Sequence, residues 1–189
     1  MRAMIVKGYK IDKGANLINA NLDRAQLVRA YLADAKMKGA MLNRANLTDA
    51  CLVDADLTGA NLTNADLTGA QLGRANLTNA NLTNANLAHA DLLGAKLSGA
   101  NLTGANLSSA NLNLAYLKGA NLTGANLNRA MTYRTDLTLA NLRGADLTGI
   151  LDAALYHTTL TGADLLRYCV TLSGATLTGA TMPDGSIHD

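Results

Sequence analysis

Phenylalanine, tryptophan and glutamate are absent from this 189-residue chain, and proline occurs once, at Pro183. The 49% hydrophobic content is therefore mostly alanine and leucine. No apolar run approaches the roughly 20 residues that a bilayer-spanning helix needs, so a membrane-spanning helix is excluded. The opening Met1-Arg2-Ala3-Met4-Ile5-Val6 is too short for the apolar core of a signal peptide, and the expected compartment is the cytoplasm. Two cysteines, Cys51 and Cys169, are too few for a disulfide framework and are read as free thiols. Also missing are a CxxC pair, an HExxH helix and a phosphate-binding glycine loop. The three histidines, His89, His157 and His188, lie far apart. Convergent titratable groups, which catalysis and metal binding need, are not in evidence. No catalytic residue, metal ligand or cofactor site is expected, and the chain is read as not an enzyme.

What the chain does have is one phrase, A-(N/D)-L-x-x, repeated from Ala15 to Gly149 without insertion or deletion, which makes 27 copies in 135 residues. Such strict repetition decides the fold before any other signal. A helix turns about 100° per residue, so leucines five apart would scatter around it. A flat strand alternates faces, and an odd period would send successive leucines to opposite sides. The remaining solution turns a corner once per phrase and returns every leucine to a common axis. Ala and Leu, two apart, then share the inward side of a short extended segment. Four sides close a square of twenty residues, and stacked squares form an all-β parallel solenoid.

These A(N/D)LxX phrases resemble the pentapeptide-repeat proteins, in the leucine-rich, Asn/Asp-rich style of cyanobacterial members. The resemblance implies a right-handed quadrilateral parallel β-helix, with Leu17, Leu22, Leu27 and their successors inside beside Ala15, Ala20, Ala25 and theirs. It also implies a non-catalytic protein-interaction scaffold. The alternative it brings is a DNA-mimic modulator of DNA gyrase, for which the acidic stretch Asp49, Asp54, Asp56 and Asp66 is the relevant feature.

A single solenoid domain spans 1–189. Residues 1–14, with Ile5, Val6, Tyr9 and Ile11, are expected to cap the open end. Regular repeats occupy 15–149 and weaken at Thr132 and Thr135. Register breaks near Ile150 and Tyr168 interrupt the repeats of 150–182, and Pro183-Asp184-Gly185 turns the tail of 183–189. The whole makes about eight coils, a rod of roughly 40 Å at the inter-strand spacing. His157, Tyr156, Tyr168, Arg167 and Cys169 cluster near the breaks and are read as local packing.

Folding the sequence modulo twenty assigns outward slots to four faces. One face carries Asn21, Asn61, Asn81, Asn101, Asn121 and Asn141, interrupted by Met41; stacked amide ladders between coils are expected there. Another presents Tyr31, Cys51, Val53, Leu93, Leu114, Met131 and Tyr133 where its neighbours mostly hold Asn, Thr and Gly. Exposed tyrosine and methionine are enriched in interfaces, so these seven residues are the candidate partner-binding face. The expected partner is a protein, with a homodimer as one possibility; neither direct nucleic-acid binding nor membrane association is expected. Charge is uneven despite a net +2: residues 1–44 hold nine Lys/Arg against three Asp. This basic end, with Arg24, Arg29, Lys36, Lys38 and Arg44, can meet an acidic partner.

Overall fold

The computed structural model describes residues 4–147, so the breaks near Ile150 and Tyr168, the phrases between them and the tail lie outside the described residues. So does the part of the eight-coil count that depends on them. From Asn16↔Lys36 to Asn126↔Asp146, each residue before a core leucine forms a parallel bridge with the residue twenty positions on. The chain is a β-helix with four short sides per coil, and the square of twenty residues read from the repeat is the observed register. The inward Ala and Leu form one continuous core; Leu62, Leu82, Leu102 and Leu122 are fully buried. No helix among the described residues is long and apolar enough to cross a membrane.

The backbone explains the phrase residue by residue, because each of its five N–H groups needs an acceptor. In the phrase from Ala80, the Asn81 N–H donates to the Ala60 carbonyl of one neighbouring coil at 2.9 Å. Leu82 donates to the Asn101 carbonyl of the other at 2.7 Å, and Asn84 to Thr103 at 2.9 Å. The Ala85 N–H closes the corner on the Leu82 carbonyl at 3.0 Å. The Thr83 N–H is the one left over, and it donates to the side-chain Oδ1 of Asn81 at 3.1 Å. The residue before leucine is therefore Asn or Asp for a stated reason: it supplies the acceptor that no backbone carbonyl can reach. Where the fourth position is threonine, its hydroxyl donates to the same oxygen, at 2.7 Å for Thr83.

This corrects the expectation of amide ladders on the asparagine face. The oxygens of Asn61, Asn81, Asn101 and Asn121 are taken by the threonine two residues on, within the same coil. A donor one turn away in the chain is already in place when the corner forms, so it outcompetes the next coil. Coil-to-coil amide bonds between slots before leucine occur on other faces instead, as from Asn106 Nδ2 to Asn86 Oδ1 at 3.0 Å and from Asn111 Nδ2 to Asp91 Oδ1 at 2.9 Å.

Every fifth residue from Gly14 to Gly144 has φ between 54° and 70°, so each corner passes through the left-handed region. Glycine, asparagine and aspartate tolerate it; other side chains raise its energy. At Gly99 and Gly104 a side chain would also fall on Oδ1 of Asn79 or Asn84 in the preceding coil. Thr132 and Thr135 do not interrupt the register: both are buried, and Thr135 Oγ1 donates to the Leu112 carbonyl at 2.8 Å. At the other end, strands β1 (Met4–Val6) and β2 (Tyr9–Ile11) pair as an antiparallel hairpin through Lys7 and Gly8, both with positive φ. Ile11 is buried, and Val6 and Tyr9 pack against the core. The Asn21 N–H, with no coil beneath it, donates to the Tyr9 hydroxyl at 3.3 Å.

Candidate protein-contact surface

The seven residues of the candidate face do not form one patch. Tyr31 is bridged directly to Cys51, a half-buried free thiol, and Val53 shares the Cys51 phrase. Gln71, Gly73 and Asp91 then intervene along the same columns. Leu93 follows, then Asn111 and Asn113, then Met131 and Tyr133 on the last described coils, with Leu114 at the corner beside Asn113. Leu93, Leu114, Met131 and Tyr133 make up a second group and are exposed, whereas Val53 and Cys51 are only half exposed. The Arg134 guanidinium lies 5.4 Å from the centroid of the Tyr133 ring, within cation–π range.

The second group extends beyond the face that the repeat assigns. Leu114 sits at the corner leading to the next side, where Tyr116 occupies the slot before the core leucine and is 52% exposed. One coil on, Leu139 occupies the far corner of that side at 61% exposure. Sorting by face separated Tyr116 and Leu139 from their neighbours. The signal that finds them is the phrase itself, since each stands where the backbone calls for Asn, Asp or Gly.

That signal is energetic. Leu114 and Leu139 have φ of 59° and 58°, left-handed values at which leucine is disfavoured, and both also expose apolar surface. Met131 and Tyr116 forgo the side-chain oxygen that would hold the N–H two residues on. At Met131 the loss is made good from the neighbouring coil: the Tyr133 N–H donates to Asn113 Oδ1 at 2.8 Å. Among the described residues the departures concentrate on two adjacent sides, at Tyr31, Cys51, Gln71 and Met131 on one and Lys36, Lys96 and Tyr116 on the other. The remaining two sides depart only at Met41 and Gln26.

The aspartates of the acidic stretch are engaged within the coils. Asp49 faces Arg29 at 3.6 Å, and Asp54 receives Nε and Nη2 of Arg74 at 2.8 and 2.6 Å. Asp56 and Asp66 accept the N–H and hydroxyl of Thr58 and Thr68. The hydrogen bond from Arg74 holds the Asp54 carboxyl below its ordinary range, and the same contact raises Arg74.

Four overlapping segments, 13–49, 42–79, 75–113 and 110–149, match the family described as pentapeptide repeats (8 copies). The chain belongs to the pentapeptide repeat family. Similar solved structures include HetL, a pentapeptide repeat protein involved in heterocyst differentiation regulation from the cyanobacterium Nostoc sp. strain PCC 7120. It is 31% identical over 94% of this chain and 92% of its own, with a TM-score of 0.37. The pentapeptide repeat protein Rfr23 from the cyanobacterium Cyanothece 51142 is 47% identical over 50% of this chain and 57% of its own, with a TM-score of 0.37. Full-length QnrB1, a plasmid-mediated fluoroquinolone resistance protein, is 17% identical over 90% of this chain and 80% of its own, with a TM-score of 0.27. No curated protein matches the chain.

Proposed function

We propose that this pentapeptide repeat protein is a non-catalytic scaffold that binds another protein through Leu93, Leu114, Tyr116, Met131, Tyr133 and Leu139. One observation carries the reading: at Leu114, Tyr116, Met131 and Leu139 apolar side chains occupy slots where solvation and backbone geometry both favour Asn, Asp or Gly, and Leu93 and Tyr133 extend the same exposed apolar surface. A residue that the fold disfavours twice over is accounted for by a contact made outside the fold. Aromatic and Met side chains flanked by Arg129 and Arg134 have the composition of a protein interface. The first group, Tyr31, Cys51 and Val53, is a separate and weaker surface.

The gyrase-directed alternative rests on a continuous anionic surface. Two of its four aspartates face arginines and two are tied into turns, which weighs against it. The test is capture of partners from lysate of the source organism with wild type, with Leu93→Asp/Leu114→Asn, and with Val53→Asp, together with sedimentation of each purified protein. A protein lost only with Leu93→Asp/Leu114→Asn, or self-association lost in the same variant, supports the reading. Identical capture and sedimentation for all three proteins removes it. Inhibition of gyrase supercoiling by the wild type would instead restore the alternative.

A further inference from the structure

At the opposite end of the described coils, one corner stacks two like charges directly. Corner residues stack in columns one coil apart, and some neighbouring charges are matched, as in Arg29 with Asp49 and Asp54 with Arg74. Even the like-charged neighbours Asp34 and Asp54 each have a cation, Lys13 at 3.4 Å and Arg74 at 2.6 Å. Arg24 and Arg44 occupy one corner in successive coils and form no ion pair with a described residue. Both are exposed, and both hold the left-handed backbone, with φ of 57° and 56°. Stacked like charges and a disfavoured conformation are two costs at one place, and a bound anion relieves the first.

The two guanidinium groups border an open groove of about 320 Å³, walled otherwise by Asp23, Asn43, Thr63 and Asn64. Lys7 reaches the same rim, its Nζ donating to the Asp23 carbonyl at 2.5 Å. The Asn64 side-chain amide hydrogen-bonds to no described residue. Asp23, the one carboxylate present, has a scaffold role. Met41 supplies no side-chain oxygen to the Asn43 N–H, so Asp23 Oδ1 accepts it at 3.1 Å, together with Asn43 Nδ2 at 2.7 Å. Oδ2 remains as a lone acceptor among donors.

We propose that this groove binds a phosphomonoester that carries a neighbouring hydroxyl. Two arginines match a group with a charge of about −1.5 to −2 and three acceptor oxygens, which a phosphomonoester offers and a single carboxylate does not. Arginine's fork binds phosphate through two parallel N–H donors, and the Asn64 amide adds a neutral one. Asp23 Oδ2 takes the ligand's hydroxyl; a bare oxyanion would meet only repulsion there. The ligand class is therefore a sugar or glycerol phosphate, rather than sulfate or a phosphorylated side chain that has no free hydroxyl beside its ester.

Titration calorimetry with glycerol 1-phosphate tests this directly. The expected dissociation constant is on the order of millimolar, weakening as salt is raised. Arg24→Gln and Arg44→Gln should each weaken binding about tenfold, while Lys96→Gln, which removes the same charge from another part of the rod, leaves it unchanged. In the wild type, NMR shifts of the Arg24 and Arg44 Nε–H and the Asn64 side-chain amide should move together on addition of the probe, a readout that needs no variant. A phosphoserine peptide, which offers the phosphate without a neighbouring hydroxyl, should bind more weakly than glycerol 1-phosphate, and tighter binding of the peptide would overturn the proposal. Several results would overturn the proposal: no response at tens of millimolar, equal loss in Lys96→Gln, sulfate binding as tightly as glycerol 1-phosphate, or retention of duplex DNA without a response to the small probe.

Discussion

The side carrying Asn61, Asn81, Asn101 and Asn121 and the two sides that meet at Leu114 are built on the same core, yet they obey different rules outside it. On the first, the asparagine before each core leucine has work within the coil: Asn101 Oδ1 accepts both the N–H and the hydroxyl of Thr103, at 3.1 and 2.6 Å. Around Leu114, Tyr116, Met131 and Leu139 the outward groups serve no such end, and two of them strain the backbone. Inward positions, meanwhile, are indistinguishable: Leu102 and Leu117 are both fully buried. A solenoid of this kind separates the two demands on its sequence, with stability held by the inward pair and the turn oxygen and recognition left to the remaining slots.

The largest effect should come from a change that ignores this division and strikes the common core. Leu102→Ala leaves a cavity between packed coils and is expected to cost about 3 kcal/mol in chemical denaturation. Leu93→Asp, on an exposed leucine, should cost less than about 0.5 kcal/mol. Equal losses would mean that the outward leucine is structural, and the proposed contact surface would lose its basis.

Next in size is a gain. Replacing Leu114 and Leu139 together with asparagine suits the left-handed corners and should raise stability by about 2 kcal/mol, near 1 for each site. The same protein should lose its partner. A double variant that is less stable than wild type would show that the two leucines pack usefully within the rod and are not held there for contact.

Asn101→Ala probes the other side of the comparison. It leaves the Thr103 N–H without its acceptor and should cost about 1 kcal/mol in the same denaturation experiment. Tyr116→Ala, at the equivalent slot of an adjacent side, has no such bond to lose and should be near neutral. If the two changes cost the same, the oxygen before leucine is not what fixes the turn.

The fold was legible because period five admits one solution, and Leu17 to Leu147 keep it without a gap. Thr132 and Thr135 looked like weak points because leucine and alanine were expected; the sequence does not reveal that Thr135 can return its hydroxyl to the Leu112 carbonyl of another coil. The asparagine column suggested ladders because register places like residues over one another. Which acceptor wins depends on the leftover N–H two residues on, which only the traced hydrogen bonds reveal. The proposed contact surface is only partly apparent from the repeat for a related reason. Sorting by face groups Leu93, Met131 and Tyr133, but a corner residue such as Leu139 belongs to two sides at once. Its meaning comes from φ, which a periodic table of residues does not contain.

The smallest expected effect concerns the paired corner that contrasts with Arg24 and Arg44. Arg74 holds the Asp54 carboxyl below its ordinary value of 3.8, chiefly through the hydrogen bond between them. A carboxyl lowered on folding contributes stability above its unfolded value, and that contribution disappears as pH falls through the folded one. Wild type should therefore melt slightly above Asp54→Asn at pH 6, and the two curves should converge as pH falls below 3.8 and through the lowered folded value. Both groups are solvent-exposed, so about 1 M salt should also shrink the difference. A gap that persists at low pH would assign the effect to the packing of the side chain and not to its charge. The matched columns would then be geometric rather than electrostatic, and the unmatched Arg24–Arg44 corner would lose its contrast.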